Sequence, residues 1–123
     1  MKSFLLACLM FVTCSAWAEW VPIAKTERAT FYFDPDTIRK DGDMRTMWLL
    51  VDQQERDKFG SMSMRYRREI DCKKGRERII SRSVHSGPML TGELILQSSN
   101  IGQWDDIPPQ TVVDIEMKTA CAK

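Results

Sequence analysis

Few residues in this chain could perform catalysis. It contains one histidine, His85, and the next residue, Ser86, is the nearest candidate for a nucleophile that a histidine base could activate. Adjacent residues of a strand point to opposite faces of a sheet, so the spacing alone cannot form such a pair. The sequence has no glycine-rich phosphate loop and neither an HExxH nor a GxSxG motif. We therefore expect a protein that is not an enzyme and a surface position for His85.

Two other patterns suggest a metal ion or the hydrolysis of a glycoside. Met62 and Met64 are two residues apart, and thioether sulfur is a ligand for Cu(I). Methionines at this spacing on a strand also form ordinary core packing, which we favour. The acidic pairs that begin at Asp34 and Asp105 fall in a predicted cap and a polar loop. We expect neither a metal site nor a cofactor.

Cations gather on one predicted hairpin. Six residues could form a ligand-binding basic patch: Arg65, Arg67, Lys73, Lys74, Arg76 and Arg78. Acidic residues alternate with them, so one interpretation is a solvated face. The other is a positive patch for an acidic ligand, such as a glycan or an acidic segment of a host protein.

The first eighteen residues have the features of a secretory signal peptide. Lys2 precedes an apolar run, Phe4–Val12, and a small-x-small site predicts cleavage between Ala18 and Glu19. The run is far shorter than the roughly 20 residues of a transmembrane helix. Lipidation at Cys8 is an alternative, although cleavage there would leave a very short apolar segment before it. We expect an exported mature chain, 19–123, without a transmembrane helix, in the periplasm or at the outer-membrane surface.

Loss of that segment would change both the charge and the cysteine count. The whole chain has 18 basic and 17 acidic residues, and Lys2 is the only charged residue removed, so the mature chain is neutral. A neutral domain of this size argues against nucleic acid as a partner. Cys72 and Cys121 are the two cysteines that remain, and an even count in an exported chain predicts a disulfide.

Alternating apolar residues and turn signals indicate the elements that position these groups. Strands are predicted near residues 20–24, 30–33, 44–52, 61–72, 76–86 and 92–97. Asp34 begins a helical turn that continues through Ile38 to Lys40, and Thr111 caps a helix that ends at Cys121. The expected fold is α+β: a single antiparallel sheet of about six strands with the C-terminal helix packed on one face and tied by the disulfide.

The central strand carries apolar side chains on both of its faces. Trp48 and Leu50 alternate with Met47, Leu49 and Val51, and one helix covers only one face. We therefore expect apolar side chains without intrachain cover on the outer face, and a homodimer formed through sheet faces or edges.

An ordered set of motifs runs through nearly all of the mature chain. It consists of Trp20–Val21, the segment Phe31–Arg39, Asp41–Gly42, Trp48–Leu50, Glu69–Cys72, Arg76, Arg78, Gly92, Trp104, Pro108–Pro109 and Cys121. In this order the motifs resemble the bacterial surface-adhesin protein E family.

The resemblance implies a non-enzymatic exported binding module on a sheet of about six strands with a tethered helix. It further implies partners among host matrix and serum proteins, such as laminin and vitronectin. The alternative function is a soluble periplasmic envelope protein that docks on another envelope component. A small-ligand or metal carrier is a third interpretation.

Overall fold

Residues 19–122 are the part of the chain that the computed structural model describes. They form the strands β1 (Val21–Lys25), β2 (Ala29–Phe33), β3 (Arg39–Asp41), β4 (Met44–Gln53), β5 (Ser63–Asp71), β6 (Arg76–His85), β7 (Leu94–Ser98) and β8 (Asp105–Asp106), and the helix α1 (Val112–Cys121). Short 3₁₀ turns lie at Pro35–Thr37 and Pro88–Leu90. The predicted signal peptide, including Cys8 and Ala18, lies outside the described residues.

One antiparallel sheet contains all of these strands. Its main path is β1-β2-β4-β5-β6-β7, while β3 pairs with the start of β4 and β8 pairs with the start of β6. The α+β prediction of a single antiparallel sheet of about six strands with a C-terminal helix is thus confirmed. The two additional strands are short, and each extends the sheet beside a long central strand.

The segment after Asp34 differs from the predicted helical turn. The Asp34 side chain accepts a hydrogen bond from the Asp36 amide at 3.1 Å, which caps a single 3₁₀ turn as expected. The backbone returns to an extended conformation at Ile38, and Arg39 pairs with Thr46 of β4. The predicted continuation through Lys40 was wrong because pairing with β4 satisfies this backbone as a strand.

The inner face of the sheet, which we define as the face that packs against α1, carries the core. Met47 and Leu49 of β4 and Ile70 of β5 are fully buried, and Tyr66 is nearly so. Ala120 of the helix joins this cluster. The period-two alternation of β4 and β5 therefore places these buried apolar side chains on the face that the helix covers.

The helix is held at both of its ends. The Thr111 hydroxyl accepts a hydrogen bond from the Asp114 amide at 3.2 Å, and the Asp114 carboxylate accepts one from the Gln110 amide. At the other end a disulfide joins Cys121 to Cys72, which follows β5, with a Cα–Cα distance of 5.9 Å. The predicted cap and the predicted disulfide are both confirmed.

The outer face of the sheet is covered more fully than the sequence suggested. Leu50 points to this face and is nevertheless fully buried. The Pro88–Leu90 turn lies over the end of β4 that contains Leu50, and a 2.8 Å hydrogen bond from the Met89 amide to the Asp52 carboxylate holds it there. Trp48 is half-buried under the Arg65 guanidinium. The expectation of uncovered apolar side chains on this face was wrong, because a loop and an arginine supply the cover.

The two edges of the sheet differ in chemistry. β1 contains Pro22, and its register with β2 shifts between Pro22 and Ala24. β7 presents three consecutive exposed apolar residues, Leu94, Ile95 and Leu96. An irregular, proline-containing edge discourages further strand pairing, whereas an apolar edge invites it.

Candidate functional site

His85 lies at the end of β6, on the outer face opposite Ser63 of β5. The Ser63 hydroxyl is buried; it donates to the Gly87 carbonyl at 2.7 Å and accepts from the Leu90 amide at 2.8 Å. The Ser86 hydroxyl accepts a hydrogen bond from the Glu93 amide, in the loop that leads to β7. Both serine hydroxyls therefore hold the segment that covers the outer face, and neither is placed as a nucleophile beside His85.

The methionine pair and the acidic residues do not form a metal site in the part of the chain that the structure describes. Met64 packs against the core, as the packing interpretation of the methionine pair predicts. Within residues 19–122, no group of three or more His, Cys, Asp or Glu side chains is arranged to hold a metal ion. Over the same residues, no helix has the length and apolar character needed to cross a membrane.

A buried ionic cluster joins the helix to the inner face. Glu116 of α1 is fully buried, and its carboxylate accepts a hydrogen bond from the Tyr66 hydroxyl at 2.9 Å. The Arg68 Nε atom lies 2.9 Å from the other Glu116 oxygen, and Arg68 also pairs with Glu77 of β6. Arg68, which interrupts the apolar alternation of β5, thus meets one carboxylate from α1 and one from β6.

Burial sets the acid–base properties of this cluster. It raises the pKa of the Glu116 carboxyl above its usual value, and the Arg68 guanidinium only partly opposes that effect. The pKa of Tyr66 is raised by burial and by the Glu116 carboxylate. The cluster has no open access to ligand, because Glu116 and Arg68 are buried, so we assign it a structural role.

The predicted basic patch divides into three parts. Arg76 and Arg78 lie on the outer face, where they pair with Asp71 at 3.4 Å and Glu69 at 2.7 Å. Both guanidinium groups also stack on Trp104, at 4.7 and 4.3 Å from a ring centroid. Acidic partners and an aromatic ring therefore occupy this end of the outer face.

The remaining members of the patch have different surroundings. Arg65 and Arg67 occupy the centre of the outer face, two residues apart on β5. Lys73 and Lys74 are exposed in the turn between β5 and β6. The structure brings the four arginines onto one face and leaves the two lysines at its end.

The inner face has an open end that the helix does not cover. An apolar groove of about 490 Å³ lies there; Val51, Met64 and Val84 form its floor, and Phe59 and Leu96 are among its other lining residues. Phe59 and Leu96 are 74 and 42 % exposed. The groove is continuous with the apolar edge of β7, so the two form one surface, which we call the groove–edge surface.

Sequence reasoning missed this surface. The run Leu94-Ile95-Leu96 is the signal that could have identified it, because three consecutive apolar residues on a terminal strand leave at least one side chain exposed. Phe59 lies in a polar loop that the sequence marks only as a connection. Its contribution depends on how the loop folds over the sheet, which no local pattern shows.

Comparison with known proteins identifies the same architecture elsewhere. Crystal form II of Haemophilus influenzae protein E has a TM-score of 0.64 with this chain at 13% identity, covering 86% of this chain and 89% of that chain. Its Se-Met form has a TM-score of 0.65, also at 13% identity, covering 86 and 88%. A structure of protein E from non-typeable Haemophilus influenzae has a TM-score of 0.57 at 14% identity, covering 89 and 79%. Identity this low shows a shared fold alone.

No curated protein sequence matches the chain. The model of the family described as "Surface-adhesin protein E" matches residues 20–122. That range includes the whole sheet, the helix and both cysteines of the disulfide. The chain belongs to the surface-adhesin protein E family.

Proposed function

We propose that this protein is an exported, non-enzymatic binding module whose partner is a host matrix or serum protein. The functional form is the domain 19–123, produced by cleavage between Ala18 and Glu19. Membership of the surface-adhesin family supports a binding role and a location at the cell surface. The groove–edge surface is the observation that carries the proposal.

That surface combines two recognised modes of protein binding. The open edge of β7 offers backbone groups to an extended segment, and the adjacent groove offers apolar contacts for that segment's side chains. Contiguous exposed apolar area of this kind is uncommon on monomers and marks interaction sites. We therefore expect a partner segment that is extended and apolar rather than strongly charged.

Binding to immobilised laminin and vitronectin tests the proposal. Leu96→Asp should weaken binding of the mature protein to its partner at least about tenfold, because it places a charge in the groove–edge surface. Ile115→Asp is the matched control, since Ile115 and Leu96 are both 42 % exposed and Ile115 lies on α1. Equal binding by both variants, or no binding of wild type to either protein, would contradict the proposal.

Location separates this function from the alternative of an envelope protein that docks on a periplasmic component. If the protein is displayed at the cell surface, protease added to intact cells that express the full chain should degrade it. Complete protection, with degradation only after the outer membrane is permeabilised, would favour the periplasmic alternative.

We also propose that, in the absence of the host partner, two copies of the protein form a homodimer through the groove–edge surface, so that dimer formation and partner binding compete for it. The outer face is covered and does not support a dimer, whereas the exposed edge of β7 supports one. Light scattering of the mature protein at micromolar concentration should give twice the protomer mass, and Leu96→Asp should reduce it to that of the protomer. A protomer mass for wild type would exclude this assembly.

A further inference from the structure

The centre of the outer face presents two arginines that differ from the rest of the basic patch. Arg65 and Arg67 are two apart on β5, which places their Cα atoms about 7 Å apart on one face. The Arg65 guanidinium stacks on the Trp48 ring at 3.8 Å from a centroid. The Arg67 Nη2 atom donates to the Thr46 hydroxyl at 3.4 Å. These contacts hold both side chains on the face without neutralising them.

Their charges have no acidic partners in the part of the chain that the structure describes. Among residues 19–122, neither Arg65 nor Arg67 forms an ion pair, whereas Arg76 and Arg78 each do. The residues opposite them on β6 are Ser83 and Ser81, which have hydroxyl groups rather than carboxylates. The centre of the outer face therefore combines two guanidinium groups with two further donors.

The surroundings restrict what could bind there. β5 lies between β4 and β6, so its backbone amides and carbonyls are engaged in the sheet. A ligand on this face must be recognised by side chains alone, which excludes strand addition by a peptide. The Pro88–Leu90 turn bounds the face at one end, and Trp104 bounds it at the other. Paired guanidinium groups on one sheet face suit a polymer that carries repeated oxyanions.

We propose that Arg65 and Arg67 bind sulfate groups of an acidic polysaccharide across the outer face. Each planar guanidinium donates a bidentate pair of hydrogen bonds to one sulfate, and the Ser81 and Ser83 hydroxyls donate to neighbouring oxygens. Trp48 orients Arg65 for this contact. The site goes beyond the protein-binding function, because it lies on the face opposite the groove–edge surface and recognises a different chemistry. Either proposal can fail while the other stands.

Heparin oligosaccharides are the probe for this site. The mature wild-type protein should bind them with an affinity that falls as salt concentration rises. The double variant Arg65→Gln with Arg67→Gln should bind at least about tenfold more weakly, because charge-assisted hydrogen bonds are lost. Lys73→Gln with Lys74→Gln removes the same charge from the same hairpin and should bind within about twofold of wild type. Equal losses in the two double variants would overturn the proposal in favour of net charge.

Further measurements distinguish a specific site from misfolding or another ligand. Thermal unfolding of the glutamine variant should match wild type; if it does not, Arg65→Lys with Arg67→Lys replaces it. The lysine variant keeps the charge but loses the planar donors, so several-fold weaker binding is expected and wild-type affinity would refute the assignment. Poly-glutamate and vesicles of anionic lipid should bind more weakly than heparin. Equal or tighter binding of either, or no heparin binding by wild type, would also refute it.

Discussion

Removal of the disulfide should lower stability chiefly by freeing the unfolded chain. Cys72 and Cys121 are separated by 49 residues. The loop-closure relation gives about 14 cal/mol/K for a loop of that length, or about 4 kcal/mol at 25 °C. The entropy of unfolding is about 0.2 kcal/mol/K for a chain of this size. The double variant Cys72→Ser with Cys121→Ser should therefore unfold about 20 °C lower than wild type.

Far-UV circular dichroism during heating measures this difference on the mature protein. Wild type treated with dithiothreitol is the control, because reduction opens the same loop without replacing a side chain. Both samples should unfold at similar temperatures. A decrease smaller than about 5 °C in both would refute the loop-closure reasoning.

The position of the helix gives a second, independent measurement. Tyr66 and Arg68 hold Glu116, and Ala120 packs in the core, so the helix has anchors besides the disulfide. Below its unfolding temperature, the serine variant should keep the helical signal of wild type. A folded sheet with a lost helical signal would show that the disulfide acts locally on the docking of α1, contrary to this account.

Three further predictions concern the helix and its ionic cluster. Arg68→Met should lower the free energy of unfolding, measured by urea titration, by about 3–5 kcal/mol, because it leaves the buried Glu116 carboxylate without a counterion. Glu116→Gln should change that free energy by less than about 1 kcal/mol, because Arg68 still pairs with Glu77. Burial raises the pKa of Glu116, so the folded state binds its proton more readily than the unfolded chain. The free energy of unfolding of wild type, relative to that of Glu116→Gln, should therefore be greatest below about pH 4.5 and fall as the pH rises through the higher pKa of the folded state. A relative stability of wild type that instead increases with pH in urea titrations would contradict this prediction. Thr111→Ala should cost about 1 kcal/mol through loss of the helix cap, and Thr111→Ser should cost much less in the same titration.

Local patterns determined much of this fold. Alternation in β4 and β5 specified which side chains face the helix, and the residues around Thr111 specified where the helix begins. The disulfide followed from the cysteine count and the positions of Cys72 and Cys121. These features depend on neighbours within a few residues or on a single pairing, so the sequence displays them directly.

Contacts between distant segments were not visible in the same way. The cover over Leu50 comes from a turn nearly forty residues later, which no periodicity in β4 announces. The ionic cluster left a signal that pattern reasoning did not use. Arg68 interrupts an apolar strand face, Glu116 interrupts an apolar helix face, and their charges are opposite. Matching such interruptions would have identified the Arg68–Glu116 pair beneath the predicted helix.

The unequal edges of the sheet determine how an assembly of this protein would end. If the exposed edge of β7 pairs with the β7 edge of a second copy, both apolar edges are buried in one interface. At the ends of the main strand path, the edges that remain are those of β1, where Pro22 offers no amide and the register is irregular. Growth by strand pairing at the ends of this path therefore stops at two copies.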